Sequence, residues 1–172
     1  MFNIKDDKNI LKYTPLIVYF LCLLLPSQFT HAASKPVIGW IEHVKIMETG
    51  LQVKAKIDTG ADSSSVNAKL IEEYTRNGKD WLRFQIYNNG GEKIILDKKI
   101  VRYMRLKRRK ASSIRRPVVT LNLCVGQISR EIEINLSDRS NFKYVMLIGR
   151  DFLRDTYIVD SSKTLTIEPD CQ

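Results

Sequence analysis

Histidine is nearly missing from this sequence: of 172 residues only His31 and His43 carry an imidazole. Cysteine is almost as scarce, at three. No H-E-x-x-H is present and no G-x-x-x-x-G-K-[ST], so neither a zinc protease nor an ATP-binding loop has residues to build it. No metal and no cofactor is expected. Acidic residues are also short, 19 against 28 Lys and Arg, which leaves a net charge of +9. That balance favours anionic partners, whether nucleic acid, anionic lipid or acidic peptide, without choosing among them. Hydrophobic residues reach 44%, enough for a core and too many for global disorder.

Long hydrophobic runs are limited to one, "LIVYFLCLLL" at Leu16–Leu25. Lys5, Lys8 and Lys12 precede it, Pro26 ends it, and the small residues Ala32 and Ala33 follow. Charged, apolar and small-residue segments in this order describe an export signal, and the apolar run is too short to span a bilayer comfortably. Residues 1–33 are therefore expected to be a signal peptide, with an uncleaved anchor as the alternative, and 34–172 the functional domain. Removal of the leader takes Cys22 and His31 with it. Cys124 and Cys171 remain, and in an oxidising compartment they could pair.

Strand periodicity dominates what is left. "VIGWIEHVKI" and "LQVKAKI" alternate, with "METG" between them as a hairpin turn. "SSSVNAKLIEEYTRNG" reads as a turn and a short helix-like piece ending at Gly78. "DWLRFQIY" alternates, "NNGG" at 88–91 turns, and "EKIILDKKIVRYMRL" continues in one or two strands. "RPVVTLNLCVG", "QISREIEINLSD" and "KYVMLIGRDFL" return to strand, followed by a short helix from Arg150 to about Asp155 and the strands "TYIVD" and "KTLTI". The fold class is all-β, closed or sandwiched, with little helix.

Two motifs carry chemistry. "KAKIDTGADSSS" ends an alternating strand on Asp58, where Gly60 permits a tight turn beside the carboxylate. Alone, D-T-G is a weak three-residue motif, and a capped turn is its plainer reading. The second is "YVMLIGRDFL", an apolar strand leading through Gly149 to a charged helix start, from which Arg150 could offer a planar guanidinium to Asp62.

Together, D-T-G-A-D-S-S-S and M-L-I-G-R-D-F-L resemble the retropepsin-like aspartic proteases. "IGWIEHV", "VKAKIDTGADSSSVNA", "GKDWLRFQI", "RRPVVTLNLCVG" and "EIEINLSDRSNFKYVMLIGRDFL" resemble in particular a bacterial branch labelled an ATP-dependent zinc protease, over most of Lys35–Glu168. The resemblance implies a closed acid-protease β-barrel with one short C-terminal helix. It implies Asp58 as the catalytic carboxylate, Thr59 as a lock between two active turns, and Gly60 as a contact for substrate backbone. It also implies Asp62, Gly149 and Arg150 as support behind the turn. Asp151 stands where many viral members carry Asn. The zinc and ATP of the branch label have no residues behind them. Some members of the branch are associated with enzymes that add or trim glutamate tails.

An aspartic protease activates water with two carboxylates sharing a proton. This chain has one D-T-G, so the resemblance implies a homodimer contributing Asp58 from each copy. The expected activity is endopeptidase cleavage of a peptide or protein, acidic peptides among the candidates. The alternative is a catalytically silent binding or scaffold module in the cell envelope. Export implies the bacterial periplasm or envelope.

Lys98–Arg116 holds ten Lys or Arg and no acidic residue. This basic insertion, about 98–116, brings Arg102, Arg105, Lys107, Arg108, Arg109, Lys110, Arg115 and Arg116 forward as contacts for an anionic partner. A solvated charged loop is the plain alternative. Membrane contact is left to the N-terminal segment or this basic surface. Tyr103 alone makes no stacking platform, so nucleic acid is not expected.

Overall fold

The computed structural model describes residues 34–88, 90–108 and 111–172. The leader expected over 1–33 lies outside them. Among the described residues, eleven strands and one short helix run in the order β1 (Val37–Gly39), β2 (Ile41–Ile46), β3 (Gln52–Ile57), β4 (Ser64–Arg76), β5 (Lys79–Tyr87), β6 (Lys93–Lys99), β7 (Arg102–Arg108), β8 (Ala111–Val125), β9 (Ile128–Ser137), β10 (Met146–Ile148), α1 (Arg150–Leu153) and β11 (Ile158–Asp160).

Six strands close on themselves. The neighbours run β10-β3-β2-β8-β9-β4, and β4 returns to β10 through Met146↔Val66 and Leu147↔Ser65. This closed ring is an acid-protease-type β-barrel, and it removes the exposed edges that an open sheet would leave. Alternation sets its interior. On β3, Val53, Ala55 and Ile57 are buried, while Gln52 and Lys54 are exposed. The same period buries Val119, Leu121 and Leu123 on β8, with Ile132, Ile134 and Leu136 on β9. Each fully buried Leu, Ile or Phe contributes about 1.5–3 kcal/mol relative to exposure.

The long β4 departs from expectation. Residues 64–76 form one strand where a helix-like piece was read. Its first part, Ser64–Asn67, lies in the barrel beside β9; the rest pairs with β5. A bulge between Leu70 and Glu72 breaks the alternation, which is why the pattern looked helical. Asn77 and Gly78, at φ 52° and 68°, form the two-residue hairpin turn rather than a helix end. β6 adds a third strand to this arm.

Two further expectations change. "VIGWIEHVKI" breaks at Trp40, whose N–H goes to the Lys163 carbonyl at 2.9 Å. "KTLTI" forms no strand. Its backbone turns instead to the fully buried Glu42, whose carboxylate accepts the N–H groups of Thr166 and Ile167, the Thr166 hydroxyl, and the Gly39 N–H at 2.6 Å. The tail is also held covalently, because Cys124 and Cys171 form a disulfide with Cα atoms 6.0 Å apart.

The described part of the basic stretch is largely strand: Lys98 and Lys99 end β6, Arg102–Arg108 form β7, and Arg115 and Arg116 lie on β8, antiparallel to β7. Among the described residues no helix is long and apolar enough to cross a membrane.

Candidate active site

Asp58 follows β3 directly. Its backbone N–H donates to the Ile148 carbonyl of β10 at 2.8 Å, continuing the parallel β3–β10 ladder up to the turn. The Gly60 N–H donates to Asp58 Oδ1 at 3.0 Å, and the Ala61 N–H to the Asp58 carbonyl at 3.2 Å. The carboxylate is thus oriented by its own turn. It keeps 25% side-chain exposure, so one face stays open to solvent. Thr59 and Gly60 are exposed at the tip.

Lys56 is a neighbour that the motif reading missed. Its Nζ lies 3.2 Å from Asp58 Oδ2. The signal was present, since residues two apart on a strand share a face. With 43% and 25% exposure the pair is screened and contributes about 0–1 kcal/mol.

Behind the turn, α1 is tied to it in several places. The Arg150 N–H donates to the Ala61 carbonyl at 2.9 Å and the Asp151 N–H to the Asp62 carbonyl at 3.2 Å. The Arg150 guanidinium donates through Nη1 to the Thr59 carbonyl at 2.9 Å and meets the Asp62 carboxylate. Asp62 is 88% exposed, so this ion pair lies at the surface of the single chain rather than in its core. Gly149 has no room for a side chain: a Cβ there would lie 2.8 Å from the Ser63 carbonyl carbon and 3.0 Å from the Ala61 oxygen.

A further link joins Ser64 to Asp151, a pairing that the motifs did not show. Ser64 is fully buried. Its N–H and hydroxyl donate to the two carboxylate oxygens of Asp151, at 2.7 and 2.6 Å, and its Oγ accepts the Gly149 N–H at 2.9 Å. Asn135 of β9 donates to the Ser64 carbonyl at 2.6 Å. Asp151, a mild departure from many viral members, therefore has a defined partner within this chain.

Arg139, half-buried, stands between the turn and β8. Its Nη1 donates to Ser65 Oγ at 3.1 Å, and its backbone N–H donates to Asn67 Oδ1 at 2.7 Å. Burial lowers its pKa first, the like charge of Arg116 lowers it further, and Asp58 opposes both.

The basic candidates divide. Arg102 is paired with Glu133 at 2.7 Å. Arg105 lies exposed on β7 opposite Arg115. Arg115 stacks on the Tyr103 ring, 3.3 Å from its centre. Arg115 and Arg116 both line a groove with Ser137 and Phe142. Lys107 and Arg108 belong to β7 by their backbone; Arg109 and Lys110 lie outside the described residues. Among the described residues no group of three or more His, Cys, Asp or Glu side chains is placed to hold a metal.

A closed six-stranded barrel whose aspartate turn is locked to the helix after its last barrel strand is the retropepsin-like architecture. Residues 37–170 match the family model described as "RimB-like: Retropepsin-like aspartic endopeptidase RimB", and the chain belongs to that family. Among solved structures, a Legionella pneumophila protein of unknown function (DUF785) is 34% identical, with a TM-score of 0.67, over 78% of this chain and 100% of that one. Among curated proteins, a "Probable alpha-L-glutamate ligase" of Shewanella pealeana is 30% identical over 118 residues, covering 67% of this chain and 26% of the ligase. One of the same description from Desulfotalea psychrophila is 29% identical, over 74% of this chain and 28% of the ligase. The chain thus spans about a quarter of the length of these curated relatives.

Proposed function

We propose that this chain is an aspartic endopeptidase that works as a two-fold dimer. One observation carries the reading: the Asp58 carboxylate stands at a strand end, oriented by the Gly60 N–H and still 25% exposed. A second copy across a two-fold axis supplies the second carboxylate. One member of the dyad takes a proton from water as the oxygen attacks the peptide carbonyl. The other, protonated, donates to the carbonyl oxygen. Collapse of the tetrahedral adduct delivers a proton to the leaving nitrogen. Thr59, exposed at the tip, bridges the two turns, and Gly60 leaves space for substrate backbone. Asp62 and Arg150 support the turn from behind.

Acidic peptides are the proposed substrate class. The net charge of +9 supports this, as do Arg115 and Arg116 along the groove. The curated relatives are named for glutamate, an acidic residue that such a surface suits. We also propose export to an oxidising compartment such as the periplasm; the Cys124–Cys171 disulfide supports it. A silent binding module is the second reading, favoured by Lys56, which occupies one side of Asp58 in the single chain.

The test is digestion of a peptide library, acidic sequences included, from acidic to neutral pH, by wild type and Asp58→Asn with chelator in parallel. Cleavage by wild type alone, unaffected by chelator, is expected. Cuts that survive D58N would sink the aspartic mechanism. Activity lost only on chelation would bring metal chemistry back. A wild-type protein that self-associates and cuts nothing would favour the binding module.

A further inference from the structure

Lys56 has no part in the chemistry assigned to the Asp58 turn, yet its side chain is seated directly on it. The Gly60 N–H donates to Asp58 Oδ1 at 3.0 Å, and Lys56 Nζ donates to Oδ2 at 3.2 Å. Both oxygens of the carboxylate are thus engaged within one chain. Lys56 stands on β3 two residues before Asp58, so strand geometry places the ammonium on the same face. Its neighbours in register are Ile41 on β2 and Leu147 on β10, both apolar. Among the described residues, Asp58 is the one carboxylate within ion-pair distance of Lys56, and Lys56 the one cation within that distance of Asp58.

The single chain gains little from this pair. Both partners are partly exposed, and water screens such contacts. The pair gains weight where water leaves, at an axis on which two Asp58 turns meet. Two carboxylates brought close there repel, and ordinarily one must take up a proton before they settle. An ammonium already in place on each carboxylate offsets the repulsion, the more so as the local dielectric falls. The other cations near the turn are committed elsewhere. Arg150 is engaged by Asp62 and the Thr59 carbonyl. Arg139, on which the Asp58 charge also acts, donates to Ser65 Oγ.

We propose that Lys56 is the counter-charge of the dyad, a positioning residue whose ammonium lets two Asp58 carboxylates come together as the dimer forms. The proposal rests on the two-fold dimer of the endopeptidase reading and adds a residue to it. It also fixes a sign. A lysine that only blocked Asp58 would hinder assembly, and its removal would tighten the dimer. Removal of a counter-charge weakens the dimer, and does so only while Asp58 carries its charge.

Assembly is measured apart from cleavage. The dimer dissociation constant is read by analytical ultracentrifugation at neutral pH, on full-length wild type, Lys56→Met, Lys56→Arg, Asp58→Asn and the Lys56→Met, Asp58→Asn double variant. Lys56→Met is expected to weaken the dimer about tenfold, or about 1.4 kcal/mol. Lys56→Arg keeps the charge and is expected to stay close to wild type. In the Asp58→Asn background the repulsion is gone, so Lys56→Met is expected to change little there; the difference between the two backgrounds is the coupling of the two residues. Circular dichroism establishes that each variant is folded, and Lys56→Gln replaces Lys56→Met should the methionine variant not fold. A dimer unchanged or tightened by Lys56→Met would overturn the counter-charge. An equal loss in the Asp58→Asn background would overturn it too, because Lys56 would then be an ordinary interface contact. Wild type and Asp58→Asn that both stay monomeric would overturn the dimer and the counter-charge together. The expected coupling, with no peptide cleaved by wild type, would leave the counter-charge standing and count against the peptidase reading.

Discussion

Ser64 donates its backbone N–H and its hydroxyl to the two carboxylate oxygens of Asp151, at 2.7 and 2.6 Å, across 87 residues of sequence. The pairing joins the start of β4 to α1 directly behind the aspartate turn. Ser64→Ala removes one of these bonds and leaves the buried Gly149 N–H without its acceptor. The expected loss of stability is about 1–3 kcal/mol. Chemical denaturation measures it; a loss near zero would mean that water or a shifted backbone replaces the hydroxyl.

Activity should depend on two copies of Asp58. Asp58→Asn is nearly isosteric and should leave the melting temperature close to wild type. Mixed and refolded with wild type, it should form inactive heterodimers, so activity falls faster than the wild-type fraction. Activity strictly proportional to that fraction would show that a single chain suffices.

Arg150 should matter more for assembly than for the folded protomer. Asp62 is 88% exposed, and such pairs contribute about 0–1 kcal/mol. Arg150→Ala also loses the bond to the Thr59 carbonyl, so the turn that carries Asp58 loosens. The expected outcome is a small shift in the unfolding midpoint with a larger rise in the dimer dissociation constant, read by analytical ultracentrifugation. A shift of several kcal/mol in protomer stability would contradict the surface character of the pair.

The tail disulfide should be stabilising without being the tail's sole anchor. Cys124 and Cys171 are 47 residues apart, and a bridge closing a loop of that size contributes about 2–4 kcal/mol. Paired replacement by Ser should lower stability by that order. Glu42 still holds Thr166 and Ile167, so amide exchange there should remain slow. Fast exchange at Thr166 in the double variant would show that the bridge, not Glu42, keeps the tail in place.

Asp160 contributes a pH dependence of its own. The Ser162 hydroxyl and N–H, with Lys163 beside them, hold its carboxyl down to about 2. A depressed folded pKa contributes stability at pH above the unfolded value, and that contribution is lost as pH falls through the folded one. An NMR titration should therefore place the Asp160 midpoint near 2. Asp160→Asn should weaken the dependence of stability on pH in the window between about 4 and about 2. A midpoint at the ordinary aspartate value would remove the effect.

Local rules were enough for much of this protein. Period-two alternation marks the inward residues of β3, β8 and β9, and it depends only on neighbours along the chain. D-T-G and I-G-R-D carry their own turn chemistry, so the turn at Asp58 and the helix start at Arg150 are legible in the sequence. The bulge in β4 hid a strand, because one extra residue shifts the alternation and resembles helical spacing. What only the tertiary structure decided was which polar groups meet. Closure of β4 onto β10 brings Ser64 under Gly149, and the path of the tail brings Thr166 to Glu42. It also set Arg102 and Arg105 on β7 against β8, with Arg115 and Arg116 on a groove wall. A hydrogen bond acts over about 3 Å whatever the sequence separation. Its partners across 87 or 124 residues are set by barrel closure and the course of the tail, which no local pattern records.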